Sequence, residues 1–345
     1  MNYNIVVFGG GPSGCAAALA LVQSGCHGVA IVTRQQRHWP PVELLATDIR
    51  ESLTTLGLWE RFLSLSPFPC PGIISRWGSK DALETDFLFN PYGSGWLISR
   101  ERFDVMLMEA VKSTGIDWIV CDRCNLEGTQ HDDSWRFEVH AHNNFMKLQA
   151  RWVVDATGRT AWLARRLGSR REVASKHLAV GVEIDSGALR TKRDMRLWLE
   201  KTHNGWWYAI PSGMQNLLIV FVTDANQLPS RSFDRSAWLE KQLLETRDIK
   251  QLVKNLSLGK IVIFPTAQAI QNPICGNNWL AAGDAALSLE PLSGRGTVHA
   301  LETGVKVSQA IVDVNNNSSD ALGTYSTYLQ TKYLDAVATA KLYHD

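Results

Sequence analysis

The sequence has little of several things that would place it quickly. Its 345 residues hold only six cysteines, at 15, 26, 70, 121, 124 and 275. These are too few and too scattered for a disulfide scaffold, so reduced thiols and a cytoplasmic location are expected. No apolar run approaches the roughly 20 residues that span a bilayer, and no membrane partner is expected. The start, Met1-Asn2-Tyr3-Asn4, carries no basic stretch of the kind that opens a secretory leader. Charge of one sign is also missing: 35 Lys and Arg against 34 Asp and Glu leave +1, so no global field invites nucleic acid. There are no repeats and no low-complexity tract. At 45% hydrophobic and 20% charged the chain reads as globular, and its length suggests two domains or one interleaved fold.

What is present begins within ten residues of the start. Ile5-Val6-Val7-Phe8 is an apolar, β-branched run and predicts a buried strand. Gly9-Gly10-Gly11-Pro12-Ser13-Gly14 follows, then an Ala/Leu-rich helical stretch, then a second strand, Val29-Ala30-Ile31-Val32. This is a βαβ unit with GxGxxG at its bend, the arrangement that seats a dinucleotide. Gly9 allows the tight turn, Gly11 lets backbone approach a diphosphate, and Gly14 lets helix and strand pack closely. Pro12 and Ser13 open the helix, whose free N–H groups favour an anion. An acidic residue is expected at the end of the second strand to bind ribose hydroxyls. Thr33 stands there instead, followed by Arg34. The loss of a charge-assisted pair predicts weaker cofactor retention.

Two further signals follow strands: Asp155-Ala156-Thr157-Gly158, and Gly283-Asp284-Ala285-Ala286 leading to Glu290-Pro291-Leu292-Ser293-Gly294-Arg295-Gly296-Thr297. Asp284 can hold ribityl hydroxyls. Gly294 and Gly296, after Pro291, let backbone amides reach the carbonyl end of an isoalloxazine. Elsewhere, residues 43–65 read as helical, 135–140 and 146–154 as a hairpin turning at Asn143-Asn144, and 178–222 as several strands. The expected architecture is α/β: a Rossmann-like three-layer nucleotide-binding domain, an FAD-binding one by the family resemblance that its motifs carry, from residues 1–72, 97–168 and 265–320. An antiparallel β-sheet substrate domain, 73–96 and 169–264, is inserted into it, and 321–345 form a C-terminal helix.

The order GxGxxG, DATG, GDA…PxxGxG resembles the aromatic-hydroxylase-like FAD flavoproteins, whose fold also serves flavin-dependent halogenases and geranylgeranyl reductases. Arg100-Glu101-Arg102-Phe103-Asp104 is similar to that family's helix start, which puts Arg100 near the FAD. Several strings resemble a halogenase-like subgroup: Glu43-Leu44-Leu45, the stretch 56–62 (LGLWERF), Trp77-Gly78-Ser79, the stretch 86–93 (DFLFNPYG) and the stretch 205–211 (GWWYAIP). Its members are flavoprotein maturases for the tryptophylquinone cofactors of amino-acid oxidases such as glycine oxidase and lysine ε-oxidase. The resemblance implies an FAD-dependent monooxygenase that inserts oxygen into a tryptophan of a precursor protein during cysteine tryptophylquinone biogenesis. The precursor of a quinoprotein amino-acid oxidase would be its partner, and NAD(P)H a transient reductant, since no second GxGxxG occurs.

The alternatives are a halogenase or hydroxylase of a small aromatic, and a non-catalytic flavoprotein chaperone of the precursor. Halogenases carry Trp-x-Trp-x-Ile-Pro, whereas here Tyr208 takes the second Trp position. Lys80 is the one nearby lysine for halogen transfer, in the surroundings of an exposed turn. Glu43 and Glu290 are the candidate general bases, able to act if burial tunes their pKa. Cys121-Asp122-Arg123-Cys124 has CxxC spacing but no second pair, so no metal is expected. Ten Lys/Arg against four Asp/Glu between 159 and 196 offer a solvated face or a docking patch.

Overall fold

The computed structural model describes all residues except 36–39, 80, 88–89, 128–133, 142–143, 186–194, 213–215, 254–257 and 345. Lys80 and Asn143 therefore lie outside the described residues, as does the centre of the 86–93 string. Eight α-helices are described: α1 (Pro12–Gln23), α2 (Ile49–Thr55), α3 (Trp59–Ser64), α4 (Arg100–Lys112), α5 (Trp162–Arg166), α6 (Arg235–Leu244), α7 (Gly296–Asn315) and α8 (Ala321–His344).

The apolar opening strand, Asn2–Phe8, lies inside an eight-stranded sheet. It runs parallel to Val29–Thr33 on one side and to Asn144–Asp155 on the other. Asp117–Val120 and Trp279–Ala281 continue the parallel set outward. Residues 5–8 are covered on both faces, as an unbroken β-branched run requires. The register decides where function sits. Phe8 pairs with Asp155 and with Val32, and Asp155 pairs with Ala281. The carboxyl ends of the strands are thus level, and the turns at 9–14, 156–158 and 283–285 meet at one edge, the usual ligand position in such sheets.

Helix α1 crosses α7 at very short range. A Cβ on Gly304 would lie 2.5 Å from the Ser13 carbonyl oxygen and 2.7 Å from the Ala16 Cβ. Only glycine lets the two helices approach this closely.

A seven-stranded sheet forms the second layer. Its order is Val262–Pro265, His177–Asp185, Asn216–Asp224, Gly205–Pro211, Leu197–Thr202, Gly72–Arg76, Leu83–Asp86. All pairs are antiparallel except Leu197–Thr202 with Gly72–Arg76. Alternation splits its aromatics between two faces. Trp207 stacks on Phe221 at 4.6 Å toward α6, whereas Trp206 and Tyr208 turn the other way.

The expected helix over 43–65 is corrected at its start. Val42–Leu45 is a strand that pairs antiparallel with Gly95–Ser99. Leu44 and Leu45 serve opposite sides, Leu44 toward the seven-stranded sheet and Leu45 toward the larger core, which is period two rather than 3.6. Helical spacing begins only at Ile49, and Gly57, at φ +69°, separates α2 from α3.

Candidate functional site

One cavity of about 880 Å³ lies between the two sheets, near the upper end of the ~300–1,000 Å³ typical of ligand sites. Its floor at one end is the glycine turn. Gly9, at φ +113°, passes so close to residue 156 that a Cβ would meet the Ala156 carbonyl oxygen at 2.1 Å. Gly14 does not line the cavity. It packs the helix onto the strand, with the Gly9 oxygen 1.9 Å from where its Cβ would be. Gly11 is different: a Cβ there would meet nothing within 4 Å. Helix α1 starts at this point with Pro12 in its first turn, no side-chain cap and no acidic residue. Its free N–H groups, with Ser13, border the cavity.

Thr33 and Arg34 line the same end. The Thr33 hydroxyl accepts from the Gly10 N–H at 3.0 Å and donates to the Arg34 carbonyl at 3.2 Å. It therefore holds the glycine loop itself. Cys121 and Cys124 also line this end, which sequence spacing alone did not indicate. Burial raises both thiols, Cys124 to about 12, so neither is a thiolate at neutral pH. Among the described residues no cluster of His, Cys, Asp or Glu could hold a metal ion.

The opposite end is built by α7. Gly294 adopts φ +60°, and neither Gly294 nor Gly296 would place a Cβ within 4 Å of anything. Helix α7 also begins without a side-chain cap. Pro291 lines the wall beside it. Asp284 faces the cavity and pairs with Arg159, whose Nε lies 3.3 Å away. Enclosure by the cavity walls raises the Asp284 carboxyl, while Arg159 and Arg171 oppose the rise. Arg159 is also a brace, donating to the carbonyls of Ala267 and Leu289 at 2.7 and 3.0 Å. The signal for it was its place directly after Gly158.

Between the two ends stands a clamp. Arg100 Nη1 donates to Glu43 Oε2 at 2.6 Å, and Thr297 donates from its hydroxyl to Glu43 Oε1 at 2.6 Å. Arg100 Nη2 reaches both oxygens of Asp104 at 3.1 and 3.2 Å, one helical turn on. Arg100 Nε is buried with no partner among the described residues. Burial works against the Arg100 charge, but Glu43 and Asp104 outweigh it and keep the guanidinium firmly protonated.

Asp155 is not at the cavity, in contrast to its expected cofactor contact. It is fully buried, and all its acceptor capacity is spent on the chain. Oδ1 accepts from the Thr157 N–H and hydroxyl, and Oδ2 from the N–H groups of Leu163 and Ala164. Its role is to fix the turn that carries Gly158 to the cavity, where a Cβ would again meet open space. Burial raises its pKa against these hydrogen bonds.

Glu290 lines the cavity, is only 6% exposed, and lies 3.2 Å from His177 Nδ1. His177, absent from the sequence candidates, sits outside the cavity at the start of a strand. Beyond the clamp the wall is apolar and aromatic: Trp206, Tyr208, Ile210, Leu197, Leu199 and Phe264.

Four open glycines and two uncapped helix N-termini, at opposite ends of one elongated cavity, fit a long ligand with a diphosphate and a flat ring. The residues present fit FAD. A family model described as FAD binding domain matches residues 2–332. The chain belongs to the FAD binding domain family. It is an FAD-dependent oxidoreductase, and its mixed α/β fold is that of the halogenase and aromatic-hydroxylase members. Over 330 residues the chain is 26% identical to a protein of Marinomonas mediterranea described as FAD-dependent oxidoreductase LodB, covering 94% of this chain and 88% of that one. In structure it is similar to the myxobacterial chondrochloren halogenase CndH, with TM-score 0.87, 20% identity, and 100% and 83% of the two chains covered. It is also similar to the peptidyl tryptophan dihydroxylase QhpG, described as essential for tryptophylquinone cofactor biogenesis. That match has TM-score 0.78, 20% identity, and 97% and 73% coverage. Among the described residues no helix is long and apolar enough to cross a membrane.

Proposed function

We propose that this protein is a monooxygenase that hydroxylates a tryptophan side chain of a precursor protein during cysteine tryptophylquinone biogenesis in an amino-acid oxidase. The observation that carries the reading is the apolar wall of Trp206, Tyr208 and Ile210, two aromatic rings and an aliphatic side chain in the same cavity as the flavin cradle. Such a wall suits a flat apolar ring. The likeness to LodB and to a peptidyl tryptophan dihydroxylase supports a protein-borne indole as that ring.

The N–H groups of α1 would hold the FAD diphosphate, Asp284 the ribityl hydroxyls, and the amides at 294–297 the carbonyl edge of the ring system. FAD, reduced by a transiently bound NAD(P)H or another donor, supplies the activation of dioxygen. The chain's own residues do the rest. Arg100, Glu43 and Thr297 lock the middle of the site. Both Glu43 oxygens are engaged, so Glu43 positions and Glu290 is the better base. Glu290 takes the proton that the substituted ring carbon must lose, and His177 beside it shares that proton. The aromatic wall orients the ring and excludes water.

The test is incubation of the FAD-loaded protein, with NAD(P)H and air, against a precursor oxidase and against free indoles and pyrroles with bromide. The proposal expects oxygen gained on one tryptophan peptide of the precursor. Halogenated small aromatics with an unchanged precursor would assign the halogenase reading instead.

A further inference from the structure

The cavity wall that would face the substrate carries two polar side-chain atoms, the Trp206 indole nitrogen, which can only donate, and the Tyr208 hydroxyl, which can also accept. Tyr208 lies on Gly205–Pro211, a strand inside the seven-stranded sheet, so its partial exposure is exposure to the cavity. Its ring lies 5.8 Å from that of Trp206, tilted by 33°. Around it stand Trp206, Ile210, Leu197, Leu199 and Phe264, none of which offers a side-chain acceptor. Among the described residues its hydroxyl makes no hydrogen bond. The hydroxyl is open to the cavity, so it is free to pair with a ligand that takes the place of solvent there. Burial raises the phenol, and the nearby Glu43 carboxylate adds to the rise, so Tyr208 stays neutral.

We propose that Tyr208 is a specificity-determining residue that accepts a hydrogen bond from the N–H of an indole substrate. The inference rests on the function proposed above and deepens it. The group facing an apolar wall is a ring rather than peptide backbone, and the N–H is the one polar atom an indole ring carries. The oxygen of a neutral phenol accepts that hydrogen through a lone pair. A tryptophan side chain at this position, as in the halogenase motif, offers a donor and no acceptor, and could not read an N–H. A site built around such a bond discriminates sharply against the isostere that lacks it.

The experiment is calorimetric binding to the FAD-loaded enzyme. The probes are N-acetyltryptophanamide and its benzothiophene counterpart, in which sulfur replaces the N–H at similar ring size. The wild type is expected to prefer the indole by about tenfold, and Tyr208→Phe to bind both probes equally. An unchanged flavin spectrum verifies that the variant is intact. Tyr208→Trp is expected to remove the preference as well. A preference that survives Tyr208→Phe overturns this inference and leaves the proposed function standing. No indole binding by the wild type overturns both.

Discussion

Glu43 and Arg100 are joined by a 2.6 Å ion pair at the middle of the cavity, and the second Glu43 oxygen is taken by Thr297. One carboxylate thereby ties the strand Val42–Leu45 to the first turns of α4 and α7. Glu43→Gln is expected to destabilise the protein by about 1–3 kcal/mol, because Arg100 loses a charged partner in a partly enclosed site. The side chains are each 22% exposed, which favours the lower part of that range. Thr297→Val should cost less, about 1 kcal/mol, since Glu43 keeps Arg100. Urea unfolding of the two variants measures both; equal losses would contradict the clamp.

Two glycines three residues apart in the turn-to-helix segment, Gly11 and Gly14, should behave oppositely. Gly11→Ala fills open cavity and is expected to leave thermal unfolding of the cofactor-free protein unchanged while weakening FAD binding at least tenfold. Gly14→Ala drives a methyl into the Gly9 carbonyl and is expected to damage folding itself. Flavin fluorescence titration beside a melting curve separates the two outcomes.

His299 gives a pH prediction. It is fully buried in α7, donating from Nε2 to the Leu287 carbonyl at 2.9 Å, and burial pushes its pKa down to about 3. In the unfolded chain it titrates near 6.5. Between these values the unfolded state binds the extra proton, so stability falls as pH falls from 6.5 toward 3, by up to ~1.4 kcal/mol per pH unit. Above 6.5 this group contributes no slope. His299→Gln keeps a donor for Leu287 and is expected to flatten that acid limb. An unchanged limb in denaturant titrations across the window would count against it.

The base role proposed for Glu290, with His177 beside it, concerns turnover rather than cofactor binding. Glu290→Gln is expected to lower oxygenation by roughly 10²–10⁴-fold, the usual worth of a general base, with FAD affinity retained. His177→Asn should show a smaller loss and a shifted pH profile. Loss of FAD in either variant would recast the pair as structural.

Much of this was legible in the sequence for a physical reason. Ile5-Val6-Val7-Phe8 and the glycines after it obey local rules, since a buried parallel strand must be apolar throughout and a diphosphate turn must lack side chains. The four open-space glycines were all named from spacing. What escaped depends on contacts distant in sequence. Asp155 reads like a ligand residue at a strand end, but its acceptors face inward because α5 returns its N–H groups to them. Glu43 sits on a strand, and only Gly95–Ser99, more than fifty residues on, makes it one. Thr33 lacks the expected charge, yet it props the Gly10 N–H, a duty that spacing does not reveal. His177 has no motif of its own and is found only through its partner, whereas Arg159 is marked only by following Gly158.

The account turns most directly on where the oxygen goes. The measurement is the mass of the tryptophan peptides of a precursor oxidase after reaction with the FAD-loaded enzyme under dioxygen labelled with the heavy isotope. The account expects one tryptophan to gain one or two labelled oxygen atoms, and to gain none with Glu290→Gln in the same time. A precursor that carries no labelled oxygen while reductant and dioxygen are consumed would contradict it.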